Sequence, residues 1–114
     1  MATQATQKNE TQAKAKEKTR IEQFMELEGS NLVIPPSALS KPNRNRAMAI
    51  LAEVLEGADR DKTYSALLNA TADCIEFLER RAVKDRQAFV DFVEKTDDEV
   101  LFDYCMKYLY AAGE

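Results

Sequence analysis

The amino-acid sequence predicts a small all-α bundle of about four helices, with a disordered N-terminal tail and a short extended apolar segment before the bundle. Three observations predict this fold class. Apolar residues recur at helical spacing through most of residues 41–114, and helix-capping residues precede these stretches. A strand-like pattern occurs only once, which is too little to build a sheet. The length of 114 residues allows one modest domain.

Residues 1–18 form the predicted tail, because Met and Ala are their only apolar types. Such a segment buries too little apolar surface to offset the entropy that it would lose on ordering. It also lacks the apolar stretch of a secretory signal. We therefore expect a disordered polar tail that is not a secretory signal.

The next segment, residues 19–40, begins with the capping box Thr19-Arg20-Ile21-Glu22. In this motif the Thr hydroxyl accepts a hydrogen bond from the Glu amide, and the Glu side chain bonds back to the Thr amide. The motif predicts a short helix over residues 20–28, with Gly29 as its C-terminal cap.

An apolar extended segment follows at Leu32-Val33-Ile34-Pro35-Pro36. β-branched residues favour extended backbone, and a residue that precedes proline is biased away from the helical region. The segment is expected to form either a lone strand or an apolar strap that lies across helices.

The helical domain is predicted over residues 41–114. Ser40 is the expected N-cap of its first helix, which should end at Gly57. Asp59 or Asp61 is the expected start of the next helix, over about residues 62–82. The apolar face of that helix consists of Tyr64, Leu67, Leu68, Thr71, Cys74, Ile75, Leu78 and Ala82.

Two more helices complete the predicted domain. A break over residues 81–85 is favoured over one continuous helix because the apolar face rotates there, and a helix over about residues 84–95 follows. A second capping box, Thr96-Asp97-Asp98-Glu99, predicts the start of the last helix. That helix should run to about Ala112 and stop at Gly113.

The last helix is apolar on more sides than a surface helix should be. One interpretation places it at the centre of the bundle, with the extended segment closing its open side. The other makes one of its flanks, rich in Tyr and Phe, a contact surface for a protein partner or for a second copy of the chain. The partner-binding residues would then be Phe102, Tyr104, Met106, Tyr108 and Tyr110, together with Leu32, Val33 and Ile34.

The composition argues against an enzyme. The chain has no His, which removes the commonest general base and the commonest metal ligand. No other catalytic constellation is present, so we expect no catalytic residue, no cofactor and no bound metal. Cys74 and Cys105 lie in apolar helical patterns and are expected to be free core thiols in a reducing cytoplasm.

The charges are unevenly distributed. Residues 1–46 carry 8 Lys+Arg and 5 Asp+Glu, whereas residues 47–114 carry 8 and 15. Arg44 and Arg46, with the basic N-terminal arm, suggest nucleic-acid binding, but no aromatic residue is interleaved with them, which favours a solvated helix start. The acidic group Asp97-Asp98-Glu99 lacks the spacing of a calcium loop, and helix capping explains it.

Several segments together carry a resemblance to a known family. A polar N-terminus leads to Leu32-Val33-Ile34-Pro35 and then to a compact acidic helical domain. The chain closes with Asp97-Asp98-Glu99-Val100-Leu101 and Tyr108-Leu109-Tyr110-Ala111-Ala112-Gly113-Glu114. Over residues 20–114 this layout resembles the tail assembly chaperones of long-tailed bacteriophages, in particular the short form made by phages of Gram-positive hosts.

The resemblance implies a non-enzymatic role. Such proteins coat the long tape-measure protein and keep it soluble until tail-tube subunits polymerise around it, and they are often made in a short form and a frameshifted longer form. The implied partner is the tape-measure protein in the host cytoplasm, with neither nucleic acid nor membrane as a partner. The alternative function is a small nucleic-acid-associated regulatory protein that uses the basic N-terminal arm.

Overall fold

The computed structural model describes residues 18–58 and 63–114. The fold of these residues is all-α, as predicted. The predicted disordered tail lies outside the described residues except for Lys18, and so do the two proposed helix starts, Asp59 and Asp61. The described α-helices are α1 (Arg20–Met25), α2 (Lys41–Ala58), α3 (Thr63–Arg81), α4 (Arg86–Lys95) and α5 (Asp98–Ala112).

Helix α5 is the central element of the bundle. It packs against α1, α2 and α3, and against a short 3₁₀ turn at Pro36–Ala38. The apolar composition on nearly all of its sides therefore has a structural explanation, because neighbours cover most of its circumference. Its buried residues are Leu101, Tyr104, Cys105, Tyr108, Leu109, Ala111 and Ala112.

The apolar segment over residues 31–36 is a strap and not a strand. Its ends belong to two 3₁₀ turns, Ser30–Leu32 and Pro36–Ala38, and between them Val33 forms a single isolated antiparallel bridge with Val83. The Ile34 N–H donates to the Ala82 carbonyl at 2.8 Å, and the Lys84 N–H donates to the Leu32 carbonyl at 2.9 Å.

These hydrogen bonds also account for the break between α3 and α4. The break was predicted from the rotation of the apolar face, although neither Gly nor Pro marks it. Residues 82–84 leave the helical conformation and direct backbone groups to the strap instead. Asp85 then starts α4, because its carboxylate accepts a hydrogen bond from the Ala88 N–H at 3.2 Å.

The predicted helix caps have mixed outcomes. The Thr19 hydroxyl accepts from the Glu22 N–H at 3.1 Å, and the Ser40 hydroxyl accepts from the Asn43 N–H at 3.3 Å, as expected. The return bond of the capping box, from the Thr19 amide to the Glu22 side chain, is absent among the described residues. The second capping box is wrong. The hydroxyl of Thr96 donates to the carbonyl of Phe92 and ends α4, while Asp97 is the N-cap of α5 without a side-chain hydrogen bond.

Two glycines do not have the predicted roles. Gly57 lies inside α2, which continues to Ala58. Gly29 is not the C-cap of α1, which ends at Met25, and it instead has a φ of 86° at the start of the 3₁₀ turn Ser30–Leu32. A Cβ on Gly29 would lie 2.6 Å from the Cζ of Phe92, so both the left-handed backbone and the close ring require glycine there.

The two cysteines are free and buried, as predicted. They lie where α3 meets α5, with the Cys74 thiol 3.9 Å from the carbonyl of Cys105. Both therefore serve as small apolar residues of the core.

Candidate protein-binding groove

Three of the residues predicted to bind a partner lie in the core. The exposed fractions are 2% for Tyr104, 0% for Tyr108 and 0% for Val33. The ring of Phe24 from α1 packs edge-on against both tyrosine rings, with centroid distances of 5.0 Å. The structure thus assigns these three residues to the interior of the protein and not to an exposed contact face.

The strap and α1 together cover this aromatic face of α5. The Tyr104 hydroxyl donates to the Gly29 carbonyl at 2.9 Å, and the Tyr108 hydroxyl donates to the Ile34 carbonyl at 3.1 Å. Because the polar ends of both tyrosines are satisfied inside the molecule, the rings are structural anchors. For the face that carries Tyr104 and Tyr108, the interpretation in which the strap closes the open side of the last helix describes this structure.

The remaining predicted contact residues are half-buried and lie around the core. Leu32, Ile34, Met106 and Tyr110 pack against its edge. The guanidinium of Arg20 lies over the ring of Tyr110, 5.3 Å from the ring centroid. Phe102 is different, because it lines an open groove between α3 and the first turns of α5.

This groove has a volume of about 480 Å³ and is predominantly apolar. Two large side chains on its α3 wall are exposed to solvent, Tyr64 at 74% and Leu68 at 44%. Large apolar side chains that are exposed beside a concave and mostly apolar site are a feature of binding surfaces. The residues that line it are Tyr64, Leu67, Leu68, Thr71, Ala72, Ile75, Asp98, Glu99, Leu101 and Phe102.

The α3 wall of the groove arises from a second apolar face on that helix. Tyr64, Leu68, Thr71 and Ile75 recur every three or four residues and so project on one side. The buried side of α3 is turned by roughly 100° from this face. It consists of Ala70, Cys74, Phe77 and Leu78. Periodicity alone placed residues of both sides on one predicted apolar face, because a stripe of ordinary width contains them.

The rim of the groove on α5 is acidic. Asp98 and Glu99 are the charged residues that line the groove, and both are exposed in the first turn of α5. The N-terminus of a helix carries the equivalent of about half a positive charge. Two carboxylates exceed that charge, so the electrostatic potential of the rim is negative.

The basic stretch at the start of α2 is tied to its neighbours. The side-chain oxygen of Asn43 accepts a hydrogen bond from the guanidinium of Arg46 at 3.0 Å, and another from that of Arg81 at 3.2 Å. Arg44 is half-buried. The two bonds of Asn43 link the start of α2 to the end of α3, and no aromatic residue is interleaved with Arg44 and Arg46 in the sequence to serve as a stacking platform.

Within residues 18–58 and 63–114, no group of three or more His, Cys, Asp or Glu side chains is arranged to hold a metal ion. No helix in the same part of the chain combines the length and the apolar content that crossing a bilayer requires. The chain matches no protein-family model, no curated protein and no solved structure.

Proposed function

We propose that this protein is a non-enzymatic assembly chaperone or adaptor that binds a helical segment of a protein client in the groove between α3 and α5. The observation that carries the proposal is the exposure of Tyr64 and Leu68 on the wall that faces Phe102. From Tyr64 to Ile75 the wall extends about 16 Å, which is three helical turns. An apolar groove of that length matches the mode in which an amphipathic helix lays its apolar face into a partner.

The sequence resemblance to phage tail assembly chaperones suggests which client this is. We propose the tape-measure protein, a long helical chain that must stay soluble in the host cytoplasm until tail-tube subunits surround it. A long helical chain exposes apolar residues every three or four positions, and a groove that covers three turns shields one such patch. Several copies of the chaperone would shield a longer client, and self-association remains a prediction.

Co-expression with the tape-measure protein of the same phage tests this proposal. The soluble fraction of the client and its co-purification with the chaperone are measured for the wild type and for Leu68→Asp. Because Leu68 is exposed, the charge should leave the fold intact, which circular dichroism checks. We expect Leu68→Asp to lose the client, since a carboxylate in the groove must be desolvated when an apolar side chain binds.

Val100→Asp is the matched control. Val100 is 53% exposed on α5 and points about 160° away from Phe102 on that helix. The same apolar-to-acidic change there should leave client binding unchanged. A client that stays insoluble with the wild type, or that is kept soluble equally well by Leu68→Asp, would contradict the proposed function.

A further inference from the structure

We propose that the groove selects a positively charged amphipathic helix, in which Lys or Arg residues flank the apolar anchor residues. This inference rests on the proposed function and names the chemistry of the client segment. It follows from the two different surfaces that meet in the groove, an apolar wall on α3 and an acidic rim on α5.

The apolar wall determines the spacing of the anchors. Tyr64, Leu68 and Ile75 lie on one face of α3, and Leu101 and Phe102 face them from α5. Leu101 is buried and forms the floor, whereas Tyr64 and Leu68 project from the wall. A partner helix that packs along this wall places residues i, i+3 or i+4, and i+7 against it, because those positions share one helical face.

The acidic rim determines the charge of the partner. Asp98 and Glu99 are exposed, and neither forms a salt bridge with another residue of the described segments. Both carboxylates can therefore bind a cation from outside the molecule. Charges on the rim of an interface select partners and orient them, and their effect decreases as salt increases.

The same charges argue against a second copy of this chain as the occupant. A two-fold pairing of the groove with itself would bring the Asp98 and Glu99 side chains of both copies to one interface. Juxtaposed like charges are unfavourable, and the whole chain has a net charge of −4. A basic helix instead complements the rim and still fills the apolar wall.

Two designed peptides test the inference directly. Each has about 14 residues, roughly four helical turns, with Leu at the anchor positions. One carries Lys on both flanks of the Leu stripe, and the other carries Glu at the same positions. Binding to the full chain is measured by fluorescence anisotropy. We expect the Lys peptide to bind at least about tenfold more tightly, and to weaken between about 50 mM and about 500 mM NaCl.

Variants locate the effect on the rim. The double change Asp98→Asn, Glu99→Gln should weaken the Lys peptide about tenfold, since it removes two ion pairs of ordinary surface strength. Asp91→Asn, Glu94→Gln removes the same two charges from exposed positions on α4 and should leave the affinity unchanged. Leu68→Asp should abolish binding by removing the apolar contact.

Equal binding of both peptides, or no loss in Asp98→Asn, Glu99→Gln, would overturn the charge selectivity. If neither peptide binds while the co-expressed client is kept soluble, this inference is wrong and the proposed function stands. If the Lys peptide binds in the expected manner while the tape-measure protein stays insoluble, the proposed client is wrong and the selectivity of the groove stands.

Discussion

The hydroxyl of Tyr108 donates a hydrogen bond to the carbonyl of Ile34, with 3.1 Å between the two oxygens. The N–H of Ile34 donates in turn to the carbonyl of Ala82, so one residue of the strap joins α5 to the connection between α3 and α4. Tyr104 forms the equivalent bond to Gly29, and the ring of Phe24 packs against both tyrosine rings. The segment that precedes α2 is thus an integral part of the core.

Replacing Tyr108 by Phe should destabilise the protein by about 1–2 kcal/mol. The substitution removes the hydrogen bond to the partly buried carbonyl of Ile34, and removing one partner of such a bond costs about that much. Urea unfolding followed by circular dichroism measures the change. Tyr110→Phe is the control, because the ring under Arg20 is retained and the free energy of unfolding should hardly change. Equal losses in the two variants would contradict the role of the Tyr108 hydroxyl.

The protein should lose stability at alkaline pH. Burial raises the pKa of Tyr104 and of Tyr108 well above the ordinary value of 10.0. Below pH 10 both phenols keep their protons in the folded and the unfolded chain, so they contribute fully to the free energy of unfolding. Above that pH the unfolded chain releases protons that the folded chain retains, and the free energy of unfolding therefore decreases.

Urea unfolding at a series of pH values between about 8 and about 11 measures this decrease. Tyr108→Phe should unfold with a shallower dependence on pH, since it has one buried phenol fewer. A free energy of unfolding that stays constant across this range, or a slope that is unchanged in Tyr108→Phe, would contradict the prediction.

Gly29→Ala should destabilise the protein by about 2 kcal/mol or more. A left-handed conformation costs an L-residue about 1–2 kcal/mol, and the new Cβ would also contact the ring of Phe92 at 2.6 Å. Phe92 is 5% exposed, so moving its ring aside would disturb the core packing around it. A double-mutant cycle with Phe92→Leu measures the contact. We expect Gly29→Ala to cost less stability in the Phe92→Leu background than in the wild type, because the smaller side chain removes the overlap.

Gly113→Ala is the comparison for Gly29→Ala. Its φ is −86°, which any residue adopts, and the Cβ would meet the flexible end of Met48. We expect a loss below about 1 kcal/mol in thermal unfolding. Equal losses of stability in Gly29→Ala and Gly113→Ala would show that neither the backbone conformation nor the ring of Phe92 distinguishes Gly29.

Glu114→Ala should loosen α1. The Glu114 carboxylate accepts hydrogen bonds from the N–H groups of Arg20 at 3.1 Å and Ile21 at 3.3 Å, the first two residues of α1. These amides have no partner within the helix, and losing such a cap costs about 1 kcal/mol. Hydrogen exchange should become faster at both amides and stay slow at Tyr108. Unchanged exchange at Arg20 and Ile21 would contradict this role of Glu114.

The two thiols should react with a disulfide reagent only when the protein unfolds. A hydrogen bond with Cys105 and burial raise the pKa of the Cys74 thiol well above its ordinary value, which keeps the reactive thiolate scarce. Thiol release is followed by absorbance in native buffer and in urea. The native rate should be slow, and it should increase with urea in proportion to the unfolded fraction. Rapid reaction in native buffer would show that the interface between α3 and α5 opens locally.

Local chemistry explains which helix ends could be predicted. The caps at Thr19 and Ser40 join residues three positions apart, so the sequence contains everything that they need. Thr96 misled the prediction because the same local pattern also permits its hydroxyl to bond backwards to Phe92 and end the preceding helix. A choice between two local hydrogen bonds depends on how the two helices pack.

The exposure of the predicted site could not be deduced in the same way. Tyr104 and Tyr108 bond to residues that lie 75 and 74 positions earlier in the chain. Periodicity shows that a face is apolar, but it contains no information on which distant segment covers that face. For the same reason periodicity placed Tyr64 and Leu68 on one apolar face with Cys74 and Leu78, although the first two are exposed and the last two are buried.

The sequence by itself determined the all-α fold, the order of the helices, the break before α4 and the burial of both cysteines. The spacing of apolar residues signals all four features, although the break is held in place by hydrogen bonds from residues 82–84 to the distant strap. Only the tertiary structure decided which apolar surface stays exposed among the described residues. The strap and α1 cover the aromatic face of α5, whereas the α3 face with Tyr64 and Leu68 stays open beside Asp98 and Glu99. Burial depends on contacts between distant segments, which the spacing of apolar residues does not specify.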